Sequence, residues 1–307
     1  MLGVWRLQLL REVARRGTIR AAASAMSITP SAVSQQLRIL EAEAGVPLLE
    51  RHGRLVRLTD AGQMLVRHAD TITAAITAAE SELAATQHEI AGTLRVAAIP
   101  TAARAVLPAA IASLGRAHPR LRLMLRDLET AESLPALAMD EVDIAVVDEY
   151  DEATRIREPG VELLDLLTEP ILVALPPGYA EGTGPVPLSA LRDEAWIMDT
   201  EASGICRALV RACRRAGFEP HVRSNCRDYS VIIALVEAGL GVAMLPGLAL
   251  RDRDVRARVA PVDPPLERRV RIAVKPERRG HPAVAAMLAE LQRAAAMGPP
   301  LEINQES

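Results

Sequence analysis

Thr18-Ile-Arg-Ala-Ala-Ala-Ser-Ala-Met26, Thr29-Pro-Ser-Ala-Val-Ser-Gln-Gln-Leu-Arg38 and Leu48-Leu-Glu-Arg-His-Gly-Arg-Leu-Val-Arg-Leu-Thr59 are the stretches that decide the fold. The spacing of Ala21, Ala22, Ala25 and Met26, and of Val33, Leu37 and Leu40, predicts two short helices with one apolar face each. Between them, Thr29 suits an N-cap and Pro30 the first helical position, where a missing amide hydrogen costs nothing. The second helix then turns Ser31, Ser34, Gln35 and Arg38 outward. Short polar groups near a helix start can reach base edges, and arginine reaches phosphate or guanine. Residues 48–51 and 55–59 flank His52-Gly53-Arg54, which predicts a hairpin carrying Arg51 and Arg54. Helix, turn, helix and wing together predict a head that binds double-stranded DNA.

Charge agrees. Residues 1–60 hold nine arginines against five acidic residues, whereas the whole chain has a net charge of −3. A basic head on an acidic body places one end on phosphate, and so small a charge per head calls for two heads on one duplex.

The order of residues resembles the LysR-type transcriptional regulators. The resemblance rests on Gly17-Thr18, Arg20-Ala-Ala, Thr29-Pro-Ser-Ala-Val-Ser-Gln-Gln-Leu37, Leu40-Glu41, Gly45-Val-Pro-Leu48, Glu50-Arg51-x-Gly53-Arg54 and Arg57-Leu-Thr-Asp-Ala-Gly62, almost without gaps over residues 1–65. One departure is that Thr29-Pro30-Ser31 stands where the family often has Ser-Gln-Pro. A base-reading glutamine is thereby lost, which leaves readout to Ser31, Ser34, Gln35 and Arg38.

Residues 60–91 predict a dimerisation helix. There is no proline from 59 to 91, and Leu65, Ala69, Ile72, Ile76, Ala79, Leu83, Thr86 and Ile90 recur at alternating spacings of four and three. That is a coiled-coil seam, with Leu65, Ile72, Ile76 and Leu83 as its large members. At 1.5 Å per residue it would run about 48 Å, long enough to hold a symmetry mate and set two recognition helices about 34 Å apart. The resemblance implies the same use, with dimers commonly pairing into tetramers on a promoter inverted repeat. RNA polymerase is a further candidate partner there.

From Gly92 the pattern becomes α/β. Strands are predicted at 93–99, 121–127, 142–147, 161–167, 171–175, 219–224, 242–245 and 270–274, with helices at 101–118, 133–139, 203–216, 229–238 and 281–297. This alternation predicts mostly parallel sheets covered on both faces. The length exceeds one comfortable core, so two lobes are expected: 92–164 with 267–297, and 165–266. The resemblance implies the same, two α/β lobes around a cleft as in periplasmic binding proteins. Residues 298–307 are expected to be a disordered tail.

Ligands in such clefts sit at strand carboxyl ends and helix amino ends. Thr101 and Ala102 after the first strand, and Asp199 to Gly204 in the second lobe, fit that placement, and helix amino ends suit a carboxylate. Asp148, Glu149, Asp199 and Glu201 around the same opening suit an amine or a zwitterion. The candidate effector residues are Thr101, Ala102, Asp148, Glu201, Ser203 and Tyr229; simple N-capping is the alternative for Thr101 and Ser203.

Other classes find little support. Cys206, Cys213 and Cys226 lack zinc spacing, so neither metal nor cofactor is expected. The resemblance leaves a redox switch open, since peroxide-sensing members use a cysteine pair in this lobe. A third reading is a cleft closed by side chains that answers to a protein partner. The six histidines are isolated, and no nucleophile elbow or dinucleotide fingerprint occurs, so no enzyme is expected. Arg6 and Arg11 interrupt any leader peptide, and Glu237 and Pro246 interrupt the stretch 231–250, so a cytoplasmic protein without membrane spans is expected.

Overall fold

The computed structural model describes residues 2–52, 55–86, 90–179 and 184–297, with 51, 52, 55, 70, 74 and 77–86 described by their backbone alone. It divides into two compact units, 1–88 and 89–307.

The first unit begins with three helices, α1 (Val4–Arg16), α2 (Ile19–Ala25) and α3 (Pro30–Ala44). Local chemistry sets their ends. Thr18 and Thr29 accept the N–H of Ala21 and Ala32, Pro30 opens α3, and Gly45 closes it in the left-handed region. Leu7, Leu10 and Val13 of α1, Ala22 and Ala23 of α2, and Val33, Leu37 and Leu40 of α3 form one core. Ala25, expected inward, is exposed, because α2 turns Ala22 and Ala23 to that core instead. The wing follows as β1 (Leu49–His52) paired antiparallel with β2 (Leu55–Leu58). The Glu41 carboxylate accepts the N–H groups of Leu48 and Leu49 and so fixes the wing to α3. The last helix is α4 (Asp60–Thr86). A Cβ on Gly62 would lie 2.1 Å from the Leu48 carbonyl oxygen, so only glycine lets α4 start this close to the wing.

The second unit runs β3 (Gly92–Ala98), α5 (Pro100–Ala105), α6 (Leu107–Ala117), β4 (Leu121–Asp127), α7 (Thr130–Ala138), β5 (Ile144–Glu149) and β6 (Glu162–Leu175). It continues with β7 (Val186–Pro187), a 3-10 turn, β8 (Ala195–Met198), α8 (Gly204–Arg215), β9 (His221–Asn225), α9 (Tyr229–Glu237) and β10 (Ala243–Pro246). It closes with α10 (Gly247–Leu250), β11 (Arg258–Val274), α11 (Pro276–Arg279) and α12 (Pro282–Ala296). The helix expected at 101–118 is two, broken at Val106, with Pro108 restarting the second.

The expectation of mostly parallel sheets needs correction. The main sheet has the order β10-β6-β11-β5-β3-β4 with β7 beside β11; β3 with β4, β3 with β5 and the two-residue β7 with β11 are parallel, and the other pairs are antiparallel. The cause is the length of two strands. β6 absorbs both strands expected at 161–167 and 171–175, and β11 extends the one expected at 270–274 back to Arg258. These two pair antiparallel along their length and run through both hydrophobic cores. Leu164, Leu167, Val270 and Ile272 belong to one core, built on β3, α5, α6 and α12. Ile171, Val173, Ala260 and Val262 belong to the other, built on β8, α8 and β10. The crossover therefore falls at 168–170 on β6, a few residues past the limit expected at 164/165, and between Leu266 and Val270 on β11, an interval that contains the limit expected at 266/267. Strand β8, with no counterpart in the sequence reading, pairs parallel with β9. Among the described residues no helix is long and apolar enough to cross a membrane.

Candidate functional site

Two places carry chemistry, one in each unit. On α3, the buried stripe Val33, Leu37, Leu40 leaves the opposite face in solvent. Ser31, Gln35 and Arg38 are exposed there, and Ser34 is half-buried. The Thr29 and Ser31 hydroxyls lie 3.0 Å apart, the Ser34 hydroxyl donates to the Pro30 carbonyl at 3.0 Å, and Arg38 Nε donates to the Ser34 carbonyl at 3.3 Å. Among the described residues nothing holds the Gln35 amide, which leaves its donor and acceptor free for a base edge. Arg54 and the Arg51 side chain lie outside the described residues, although β1 carries Arg51 opposite Val56.

The expected dimerisation seam is divided by the packing. Leu65 and Ala69 pack on the head's own core, so Leu65 is not on a free seam. Ile72 and Ile76 are exposed on α4 and remain available to a partner. The Leu83 side chain lies outside the described residues.

In the second unit the ends of β3 and β5 meet the middle of β6 and β11 around Arg268, a residue the sequence reading did not single out. Arg268 is 2 % exposed. Its Nε donates to Glu169 Oε1 at 2.8 Å, Nη2 donates to the same oxygen and to Thr101 Oγ1 at 2.8 Å, and Nη1 reaches Asp148 Oδ2 at 3.5 Å. Burial alone would pull its pKa down; Glu169, then Tyr150 and Asp148, hold it well above the ordinary range. The second Glu169 oxygen accepts the Leu248 N–H. Asp148 is completed by the Thr130 hydroxyl at 2.6 Å and the Tyr150 hydroxyl at 2.8 Å. Burial, and next the Asp148 charge, push the Tyr150 phenol far up, so it stays a donor.

This network relocates several predicted effector residues. Thr101 is no cap, since Ile99 holds that position on α5; its oxygen accepts from Arg268. Ala102 is in the hydrophobic core. Ser203 does cap α8, accepting the Cys206 N–H at 3.2 Å. Glu201 is exposed and lines neither cavity described below. Glu149 faces away from Asp148, as neighbours on a strand must, and meets Arg271 and the Ile156 N–H. Tyr229 stays at the cleft, its hydroxyl 3.4 Å from Asp199.

Beside Thr101 opens a cavity of about 380 Å³ bordered by Pro100, Arg104, Asp127, Glu129, Glu132, Arg227, Asp228, Tyr229, Ala249 and Arg253. A second, of about 280 Å³, shares Glu129 and includes Thr130, Asp148, Gly204 and Arg207. Burial raises the Glu129 carboxyl to about 7, reinforced by Asp148 and Asp199. The same burial raises Asp199 and, together with Glu132, Asp127.

The thiols are in poor surroundings for chemistry. Cys206 and Cys213 are buried in the β8–α8 core. Burial raises both, Cys206 with help from Asp199 and Glu201, and Cys213 to about 12. Among the described residues no group of His, Cys, Asp or Glu is placed to hold a metal ion.

Comparisons with known proteins agree with this architecture. Residues 5–63 match the model of the bacterial regulatory helix-turn-helix protein, lysR family, and residues 87–296 match the LysR substrate binding domain. A probable hydrogen peroxide-inducible genes activator of Streptomyces viridosporus is 31% identical over 277 residues, covering 88% of this chain and 86% of that one. A protein of the same description from Mycobacterium leprae is 30% identical over 250 residues, covering 80% of this chain and 78% of its own. The fold of full-length OxyR from Pseudomonas aeruginosa superposes with a TM-score of 0.70 at 23% identity, covering 98% and 100% of the two chains. The chain belongs to the LysR family. It is thus a DNA-binding transcriptional regulator with an N-terminal helix-turn-helix and a substrate-binding domain of two α/β lobes.

Proposed function

We propose that this regulator grips a promoter inverted repeat as a homodimer or pair of dimers, and that a small molecule in the 380 Å³ cavity sets its activity. Residues 29–38, with Arg51 and Arg54 on the wing, supply the DNA contacts, and Ile72, Ile76 and Leu83 the helix pairing. Occupying the cavity favours one angle between the lobes, and the ligand acts only to the extent that it binds that angle better. The cavity itself carries this reading: it lies at the strand and helix ends beside Thr101 and is bordered by charged groups of both signs.

The relatives named as peroxide-inducible activators raise the redox alternative, but the thiols here favour the small molecule. Reaction with peroxide needs a thiolate, and burial keeps Cys206 and Cys213 protonated. Seven residues along one helix also separate their Cα atoms by about 10.5 Å of rise, too far for a bridge without melting α8. The test is operator binding of the purified chain after peroxide or diamide and after a screen of small carboxylates and amines. Affinity that follows a small molecule and ignores the oxidants is the expected result; the reverse would replace this reading with the redox one.

A further inference from the structure

The chemical class of the effector can be read from the charges around the 380 Å³ cavity, on the reading that this cavity is the effector site. Arg104, Arg227 and Arg253 border it, and so do Asp127, Glu129, Glu132 and Asp228. Among the described residues none of these seven forms an ion pair within 4.0 Å. Elsewhere in the same unit guanidiniums pair readily, as Arg211 does with Asp151 and Arg126 with Glu141.

Unpaired charges of both signs on one cavity mean that something holds them apart. Arg104 is pinned on one side, donating to the carbonyls of Leu248 at 2.5 Å, Ala249 at 3.2 Å and Arg251 at 3.0 Å. These carbonyls satisfy its hydrogens without cancelling its charge; Arg253 and Arg251 add positive charge near it, and Asp252 offsets part of that. The carboxylates lie together on the β4–α7 connection, where Glu132 accepts the Glu129 N–H at 3.2 Å. The cavity therefore has Arg104 and Arg253 at α5 and α10 and Glu129 and Glu132 at the start of α7, with Arg227 near Asp127 and Asp228 near Arg253.

We propose that the effector is a small amino carboxylate, its ammonium received by Glu129 with Asp127 and Glu132, and its carboxylate by Arg104 and Arg253. A dicarboxylate would place an anion against the acidic end, and a diamine would place a cation against Arg104 and Arg253. The volume is that of a small-metabolite site. The groups facing Glu129 are Asp127 on β4, Glu132 on α7, Asp148 on β5, Asp199 after β8 and the cation Arg268 on β11, already paired to Glu169. With no cation of its own, Glu129 carries a proton near neutral pH, and an ammonium group would displace that proton.

Four five-carbon probes test this on the full-length protein by calorimetry and thermal shift: L-norvaline, 5-aminopentanoate, glutarate and 1,5-diaminopentane. At least one amino carboxylate is expected to bind, with neither glutarate nor the diamine doing so. Its Kd should rise at least tenfold in Glu129→Gln and in Arg253→Gln. Affinity should strengthen from pH 6 to pH 8 in the native protein and stay flat in Glu129→Gln. Binding of glutarate or the diamine alone, or of none of the four, would overturn the assignment of class. An amino carboxylate that binds with these dependences yet leaves operator affinity unchanged would uphold the class and overturn the effector reading beneath it.

Discussion

Arg268 and Glu169 are register partners on β11 and β6, both buried, at the point where these two strands leave one hydrophobic core and enter the other. Asp148 and Thr101 join the pair from β5 and α5, and the Leu248 N–H joins it from α10. Any change in the angle between the lobes has to bend β6 and β11 at this ion pair. A charge cluster here is harder to distort than an apolar contact, because each charge has been withdrawn from water and depends on its partners.

Removing one member should therefore be severe. Arg268→Met leaves Glu169 and Asp148 buried without their cation and is expected to lose about 3–5 kcal/mol in chemical denaturation. The double change Arg268→Met with Glu169→Leu should recover the part of that loss owed to Glu169, while Asp148 remains without its cation and keeps the rest. A single variant within 1 kcal/mol of native, an order-of-magnitude threshold set by exposed pairs, would show that the pair is not desolvated as described.

Glu129 gives stability a pH dependence of definite sign. Its folded pKa of about 7 lies above the ordinary 4.5, chiefly through burial. Between those values the native state holds a proton that the unfolded chain has released, so this contribution is full below 4.5 and is lost as pH rises through 7. Glu129→Gln keeps the shape and removes the charge. Its Tm advantage over the native protein should be absent at pH 4.5 and clear at pH 8. Equal Tm values at both ends would contradict the burial of this carboxyl.

Cys206 and Cys213 should be unreactive. With Cys213 near 12 against an ordinary 9.0, about a thousandfold less thiolate is present at neutral pH, and alkylation by iodoacetamide should slow at least in that proportion. Cys206 should react more slowly than a free thiol for the same reason, burial first. Peptide mapping after peroxide should recover both as thiols. A Cys206–Cys213 bridge formed without loss of helix would refute this account of the lobe.

The head was legible in the sequence because its determinants are local. Thr29 and Pro30 cap and open α3, Gly45 ends it, and Val33, Leu37 and Leu40 face inward by their spacing alone. The two-core organisation was legible for the same reason, strand by strand. What stayed hidden depends on distance. β6 looked broken because Thr168-Glu169-Pro170 interrupts the apolar run, yet sheet register keeps Glu169 opposite Arg268, a partner 99 residues away. The arginine-rich and proline-rich stretch 258–269 has no apolar period, so half of β11 escaped notice. Its one sequence signal was Glu267-Arg268-Arg269 between apolar segments, a charge run where a buried strand was already expected to begin. Strand alternation sends Asp148 and Glu149 to opposite faces, so the sequence alone already forbids both from bordering one opening.

The central claim is that the exposed face of α3, Ser31 to Arg38, reads double-stranded DNA. DNase footprinting on the promoter region beside the protein's own gene, with native protein and with Gln35→Ala and Arg38→Ala, tests it most directly. The native chain should protect an inverted repeat. Both variants should lose that protection, at roughly 1–3 kcal/mol per lost base contact, while remaining dimeric in solution. Protection that persists in both variants would show that another surface holds the duplex.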